Sequence, residues 1–109
     1  MRTIKSHQDF ERVFSEGKRF NHPLVRMVVC SSQSEGDPGR VAFACAKRLG
    51  NAVLRNRSKR VLREAARLYG MPFEGYDIIL FATAKTRDAT PAEMGLALDK
   101  VCRRAGVHG

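Results

Sequence analysis

The chain has 109 residues, 43% hydrophobic and 28% charged, with 20 Lys and Arg against 11 Asp and Glu and a formal net charge of +9. This is the size of one domain, read here as residues 1–109, with enough apolar content for a modest core. A folded domain with so much positive charge repels itself and calls for a polyanionic partner, nucleic acid first and an acidic membrane surface second. No run approaches the ~18 apolar residues of a membrane-spanning helix, and the opening MRTIKSHQDF lacks a signal-peptide core. Cys30, Cys45 and Cys102 are odd in number, unpaired by any CxxC spacing and set in apolar runs. The expectation is a cytoplasmic protein with buried free thiols.

Ser6 stands three residues before Asp9, the spacing of a capping box, and Phe10, Val13 and Phe14 follow at helical intervals. This predicts a first helix over 7–16, closed by Gly17 in a left-handed cap. LVRMVVC at 24–30 is rich in branched apolar residues and reads as a strand. A dense turn signal at 34–39 separates it from Val41, Phe43 and Cys45, which alternate with alanines. The two strands are expected to pair antiparallel across that loop, and residues 18–23 leave room for a further short strand.

Lys47–Asn51 reads as a short basic connector into a long helix over 53–69, with Leu54, Ser58, Val61, Ala65 and Leu68 on its buried face and Gly70 and Pro72 ending it. YDIILFAT at 76–83 is almost continuously apolar, which suits a strand covered on both faces. Thr90, Pro91 and Glu93 form a capping box with proline in the first turn. They open a last helix that turns Met94, Ala97, Leu98, Val101 and Ala105 inward and ends at Gly106. The order helix, strand, strand, helix, strand, helix predicts an α/β fold, a two-layer α+β sandwich with helices packed on one side of a small mixed sheet.

Residues 47–67, KRLGNAVLRNRSKRVLREAAR, hold eight Lys or Arg and one acid, Glu64. At 3.6 residues per turn, Asn56, Arg60, Arg63 and Arg67 fall in one stripe, flanked by Arg55 and Lys59 on one side and by Arg57 on the other. Glu64 has Arg57 or Arg60 within reach, and most of the remaining cations have no local partner. An ordinary solvated face would be laced with ion pairs. A row of unneutralised guanidinium groups suits phosphates instead, since each can make two parallel hydrogen bonds to phosphate oxygens.

Arg55-Asn56-Arg57, followed by Lys59-Arg60 and Arg63-Glu64 and preceded by Lys47–Val53, resembles the RNR motif of the bacterial ribonuclease P protein family. The Asp9-Phe10, Val13-Phe14 and Gly17 opening and the order of elements resemble that family too, so the likeness covers nearly the whole chain. It implies a fold like a domain of ribosomal protein S5, with a left-handed strand–helix–strand crossover where the general preference is right-handed. It implies a protein subunit of ribonuclease P, whose catalytic RNA, using bound Mg2+, removes the 5′ leader of precursor tRNA. In that family the protein binds the catalytic RNA and the leader. By the same likeness Arg55, Asn56, Arg57, Lys59, Arg60 and Arg63 face the catalytic RNA, and Arg67 shares their stripe. Lys47 and Arg48 would join that surface to a central cleft where Phe10 and Phe14 meet the leader. Periodicity alone turns both rings inward as core; the resemblance implies a split role, with ring edges open to the cleft. Met27, Val28 and Val29 stand where some relatives carry an aromatic, so contact from that strand is expected to be apolar.

His7, His22 and His108 are scattered, with no metal-ligand spacing, and the acids are dispersed, Asp9 in a cap and Asp77 in a strand. No independent protein active site is expected. A ribosomal-type RNA-binding protein would share the charge and size. A DNA reader would want a helix–turn–helix pairing that is not visible, and a membrane-surface helix would want a bulky aromatic face. The expected partners are therefore the catalytic RNA and the precursor leader, with neither DNA nor membrane.

Overall fold

The computed structural model describes residues 1–107, so His108 lies outside the described residues. The chain runs α1 (His7–Glu16), β1 (Lys18–Asn21), β2 (Val25–Ser31), β3 (Arg40–Ala44), α2 (Ala52–Tyr69), β4 (Tyr76–Ala82) and α3 (Pro91–Ala105), with 3-10 turns at Lys47–Leu49 and Thr86–Asp88. β1 fills the space left open at 18–23.

The most apolar strand takes an interior place in the sheet. The strand order is β1-β2-β4-β3, with β2 antiparallel and β3 parallel to β4. The expected β2–β3 hairpin is therefore wrong: β4 lies between the two. A strand that is apolar on both faces loses least when both its edges and both its faces are covered. The Gly/Pro loop spans that gap and is tied down, with Ser32 N donating to Gly75 O at 2.9 Å and Gly75 N to Asp37 O at 2.9 Å. At Gly39 (φ +86°) a Cβ would sit 2.0 Å from the Phe73 carbonyl oxygen, so only glycine fits.

Ile78, Leu80 and Ala82 of β4 join Val25, Met27 and Val41 against Leu62, Ala65 and Ala66 of α2 and Met94, Leu98 and Val101 of α3. Ile79, Val28 and Ala42 point the other way and meet Val13 of α1. The mixed sheet with helices packed on it is as expected, but the helices occupy both faces rather than one. β4 favours this, because Ile79 and Phe81 are apolar residues on the face opposite to Ile78 and Leu80.

Three local expectations change. Gly17 does not adopt a left-handed cap: its φ is −75° and ψ 158°. Glycine is needed there for close approach, since a Cβ would lie 2.5 Å from Val28 Cγ1 and 2.6 Å from the Val13 carbonyl oxygen. Ser6 caps α1 by accepting from Asp9 N at 3.3 Å, but the Asp9 carboxylate leaves the cap for Arg40. In α2 the buried stripe is Ser58, Leu62, Ala65 and Ala66, while Leu68 is 63% exposed. The paired alanines let the helix approach the sheet closely, which turns Leu62 in and Leu68 out.

α2 is capped by Asn51, which accepts from Leu54 N at 3.0 Å, and ends at a left-handed Gly70. The capping box of α3 forms in full, with Glu93 N donating to Thr90 Oγ1 at 3.1 Å and Thr90 N to Glu93 Oε1 at 2.8 Å. Cys102 rather than Ala105 provides the last fully buried rung of α3. All three cysteines are free, but only Cys102 is buried; Cys30 and Cys45 are half-exposed. Burial pushes the Cys102 thiol up to about 11. Among the described residues, no helix is long and apolar enough to cross a membrane.

The register of α2 can be checked by stability. Leu62→Ala should cost about 2–5 kcal/mol, as for other fully buried leucines, whereas Leu68→Ala should change stability by less than ~0.5 kcal/mol. Urea unfolding of the two variants measures this, and the reverse ranking would contradict the orientation described here.

Candidate nucleic-acid interface

The position of α1 is set by charge. Asp77 lies on β4 on the α1 side of the sheet and its side chain is 1% exposed. Its Oδ2 accepts from Arg12 Nη2 at 2.6 Å and from Arg40 Nη2 at 2.9 Å, and Arg40 Nη1 reaches Asp9 Oδ2 at 2.8 Å. Arg12 also points Nη1 at Cys30 Sγ, 3.2 Å away. Hydrogen bonds to Asp77 and then to Asp9 raise the Arg40 pKa above its ordinary value, so that side chain stays charged. A helix, two strands and four charged side chains are thus held as one unit. The sequence offered only a capping role for Asp9 and a strand position for Asp77, because their partners lie 31 and 65 residues away along the chain.

That unit holds the aromatic residues of α1 over the sheet. Phe10 and Phe14 stack at 6.5 Å between ring centroids, and both meet Phe81 of β4, at 6.2 Å and 5.7 Å. All three are partly exposed. Arg19 of β1 lies over the Phe14 ring, with its guanidinium carbon 4.5 Å from the centroid. The group opens into a cleft of about 350 Å³ lined by Phe14, Phe81 and Val28 and by the cations Arg19, Arg26 and Arg48. Phe10 backs Phe14 rather than lining this cleft, and Lys47 is exposed beside it. Of the strand residues singled out in the sequence, Val28 faces α1, whereas Met27 is fully buried in the main core and Val29 packs against that core.

Phe81 supplies from β4 the aromatic that β2 lacks, and it is the cross-strand neighbour of Arg26. Neither residue was singled out in the sequence. The signal was alternation: Asp77, Ile79 and Phe81 share one face of β4, and Arg26 sits between the inward-facing Val25 and Met27.

The cleft leads into the basic helix. Arg48 lies in the 3-10 turn just before α2, and Arg87 fixes that turn by donating to the Leu49 carbonyl at 2.8 Å. On α2, Asn56, Arg57, Arg60, Arg63 and Arg67 are exposed, while Arg55 and Lys59 are half-buried on the flank. Arg55 Nε is buried without a hydrogen-bond partner. Arg63 lies over the Phe43 ring of β3, 5.3 Å from its centroid. Glu64 pairs with Arg67 rather than with Arg57 or Arg60, Arg67 Nε donating to it at 3.2 Å. This pairing lowers the Glu64 pKa and raises that of Arg67. Arg67 is thus the member of the stripe that a carboxylate neutralises among the described residues. Among the described residues, no carboxylate forms an ion pair with Arg55, Arg57, Lys59, Arg60 or Arg63.

A small mixed α/β fold with a continuous aromatic and cationic surface is the class of nucleic-acid partner defined by this geometry. Residues 1–106 match the family model for ribonuclease P. The chain is 35% identical over 108 residues to the ribonuclease P protein component of Gluconacetobacter diazotrophicus, covering 97% of this chain and 92% of that protein. It is 31% identical to that of Clostridium novyi, covering 96% and 94%. The structure of the Staphylococcus aureus RNase P protein superposes with a TM-score of 0.82 at 29% identity, covering 100% of this chain and 99% of that one. The Thermotoga maritima RNase P protein shares the fold, with a TM-score of 0.76 at 22% identity and full coverage of both chains. The chain belongs to the ribonuclease P protein family. It is a subunit of an endoribonuclease holoenzyme of tRNA processing, and its partner in that holoenzyme is RNA.

If the Asp77 cluster positions α1, Asp77→Ala should destabilise the chain by about 3–5 kcal/mol, since it leaves two guanidinium groups without their buried partner. Native-state hydrogen exchange should speed up in α1 more than in α3. Uniform acceleration across both helices would contradict a local anchoring role.

Proposed function

We propose that the α2 row binds the catalytic RNA of ribonuclease P and that the cleft under α1 holds the 5′ leader of precursor tRNA. The observation that carries this reading is the continuity of two surfaces. An arginine row lacking counter-charges of its own runs through Arg48 into a cleft walled by Phe14 and Phe81. Phosphates of a folded RNA supply the missing charge, and guanidinium groups match them in pairs of hydrogen bonds. A single-stranded leader offers base faces to aromatic rings and a charged backbone to Arg19, Arg26 and Arg48, which gives binding with little sequence preference.

In this proposal Asn56, Arg57, Arg60 and Arg63 make the primary contact with the catalytic RNA, with Arg55 and Lys59 at its inner flank. Arg67 contributes less, because Glu64 already neutralises it. Phe14 and Phe81 touch the leader, while Phe10 supports Phe14 from behind. Lys47 and Arg48 sit where the two RNAs meet. The protein supplies binding and orientation, and hydrolysis belongs to the RNA subunit with its magnesium ions. The magnesium is assigned mainly to the RNA, as the likeness to the family implies. The proposed place of action is the cytoplasm.

Binding measurements across a salt series test both surfaces. Arg60→Ala or Arg63→Ala should weaken association with the catalytic RNA and reduce the salt slope by about one unit per lost phosphate contact. Arg67→Ala should have a smaller effect. In the reconstituted holoenzyme, Phe14→Ala should lower affinity for precursor tRNA more than for mature tRNA. An unchanged salt slope would contradict the arginine row, and equal losses on both tRNAs would contradict the leader cleft.

A further inference from the structure

Beside the arginine row, and sharing Arg57, Arg60 and Arg63 with it, lies a groove whose apolar residues neither proposed surface uses. Its floor is built from Val61, Ala65 and Leu68 of α2 and from Ala89 and Pro91 at the entry to α3. Arg57 and Arg60 stand at its edge, and its volume is about 510 Å³, within the ~300–1,000 Å³ of small-ligand sites. Leu68, at 63% exposure, is one of the few large apolar side chains the fold leaves in solvent. The core does not need it, because Leu62 fills the buried position on α2. An exposed leucine alone would mean little. This one lies in a concave apolar site with guanidinium groups at its mouth.

We propose that this groove receives an unpaired nucleobase of the RNA partner, flipped out of its stack and laid against Leu68 and the Pro91 ring. The proposal rests on the reading that the α2 row binds RNA, and it adds a specificity site to a surface otherwise matched only to phosphates. Two observations select a base as the occupant. The rim is cationic and the one carboxylate beside it, Glu64, is held by Arg67, so the ligand must join an anionic backbone to an apolar flat body. The groove is also continuous with the row: Arg57, Arg60 and Arg63 belong to both. Folded RNAs present such bases in bulges and loops, where proteins take them onto apolar surfaces and guanidinium planes. Phosphate contacts position a partner without reading it, whereas a base pocket reads local structure.

The test uses Leu68→Ser, with Leu96→Ser as the control, a leucine 66% exposed on α3 and outside the groove. Affinity for the catalytic RNA is measured over a salt series, together with chemical probing of base reactivity in the complex. Leu68→Ser should weaken binding about tenfold, the scale of losing one buried leucine contact, with the salt slope unchanged. One base protected by the wild-type chain should become reactive again, and Leu96→Ser should match wild type in both readings. Unchanged affinity and protection for Leu68→Ser, with Arg60→Ala still lowering the salt slope, would overturn the base pocket and leave the arginine row standing. Failure of the wild-type chain to bind the RNA would overturn both. Lost self-association in Leu68→Ser at unaltered RNA affinity would assign the groove to a second copy of the chain and overturn the proposal.

Discussion

The candidate surface depends first on one carboxylate. Asp77 is nearly inaccessible and is held between Arg12 and Arg40, the second of which also holds Asp9 at the start of α1. Burying ions is costly, and a well-packed apolar substitute is often as stable. The cluster therefore brings position more than stability. It ties α1 to β3 and β4 at a fixed pitch, and that pitch leaves Phe14 and Phe81, in contact with each other, partly open to a cleft instead of enclosed as ordinary core. Gly17 works toward the same end by letting the end of α1 drop onto β2 with no side chain between them.

The opposite face of the sheet carries the other half of the design. There α2 and α3 bury the main apolar core, which leaves the outward side of α2 free of any structural duty. Among the described residues, its arginines are not recruited into ion pairs, apart from Arg67. Three of the carboxylates are engaged elsewhere, Asp77 and Asp9 under α1 and Asp99 with Tyr69 and Arg103 on α3. This separation leaves a field of positive charge for a polyanion, and it explains how a chain of this size tolerates its net charge while keeping a compact fold.

Much of this was legible in the sequence because it is local. The cap of α3, the left-handed glycines after α2 and α3, and the arginine spacing of α2 depend on residues within one or two turns of each other. What could not be read depended on distant partners. The strands β2 and β3 are neighbours in sequence but separated in the sheet, because β4, apolar on both faces, takes the place between them. The choice between Leu62 and Leu68 as the inward residue turned on the close approach of Ala65 and Ala66 to the sheet, and periodicity was satisfied nearly as well by either. Phe81 was hidden inside an apolar run whose alternation acquires meaning only once α1 is known to cover one of its faces. The resemblance to ribonuclease P proteins came from GNAVLRNRSKRVLRE, a stretch whose chemistry is carried by its exposed side and so is visible without the fold.

The central claim is that the cationic row and the aromatic cleft act together on RNA within a ribonuclease P holoenzyme. The most direct measurement is leader removal from precursor tRNA by a bacterial ribonuclease P RNA at low magnesium, with and without the purified chain. The account predicts that the chain restores cleavage where the RNA alone is nearly inactive. Cleavage at the same rate with and without it, under conditions where the chain is folded, would contradict the account.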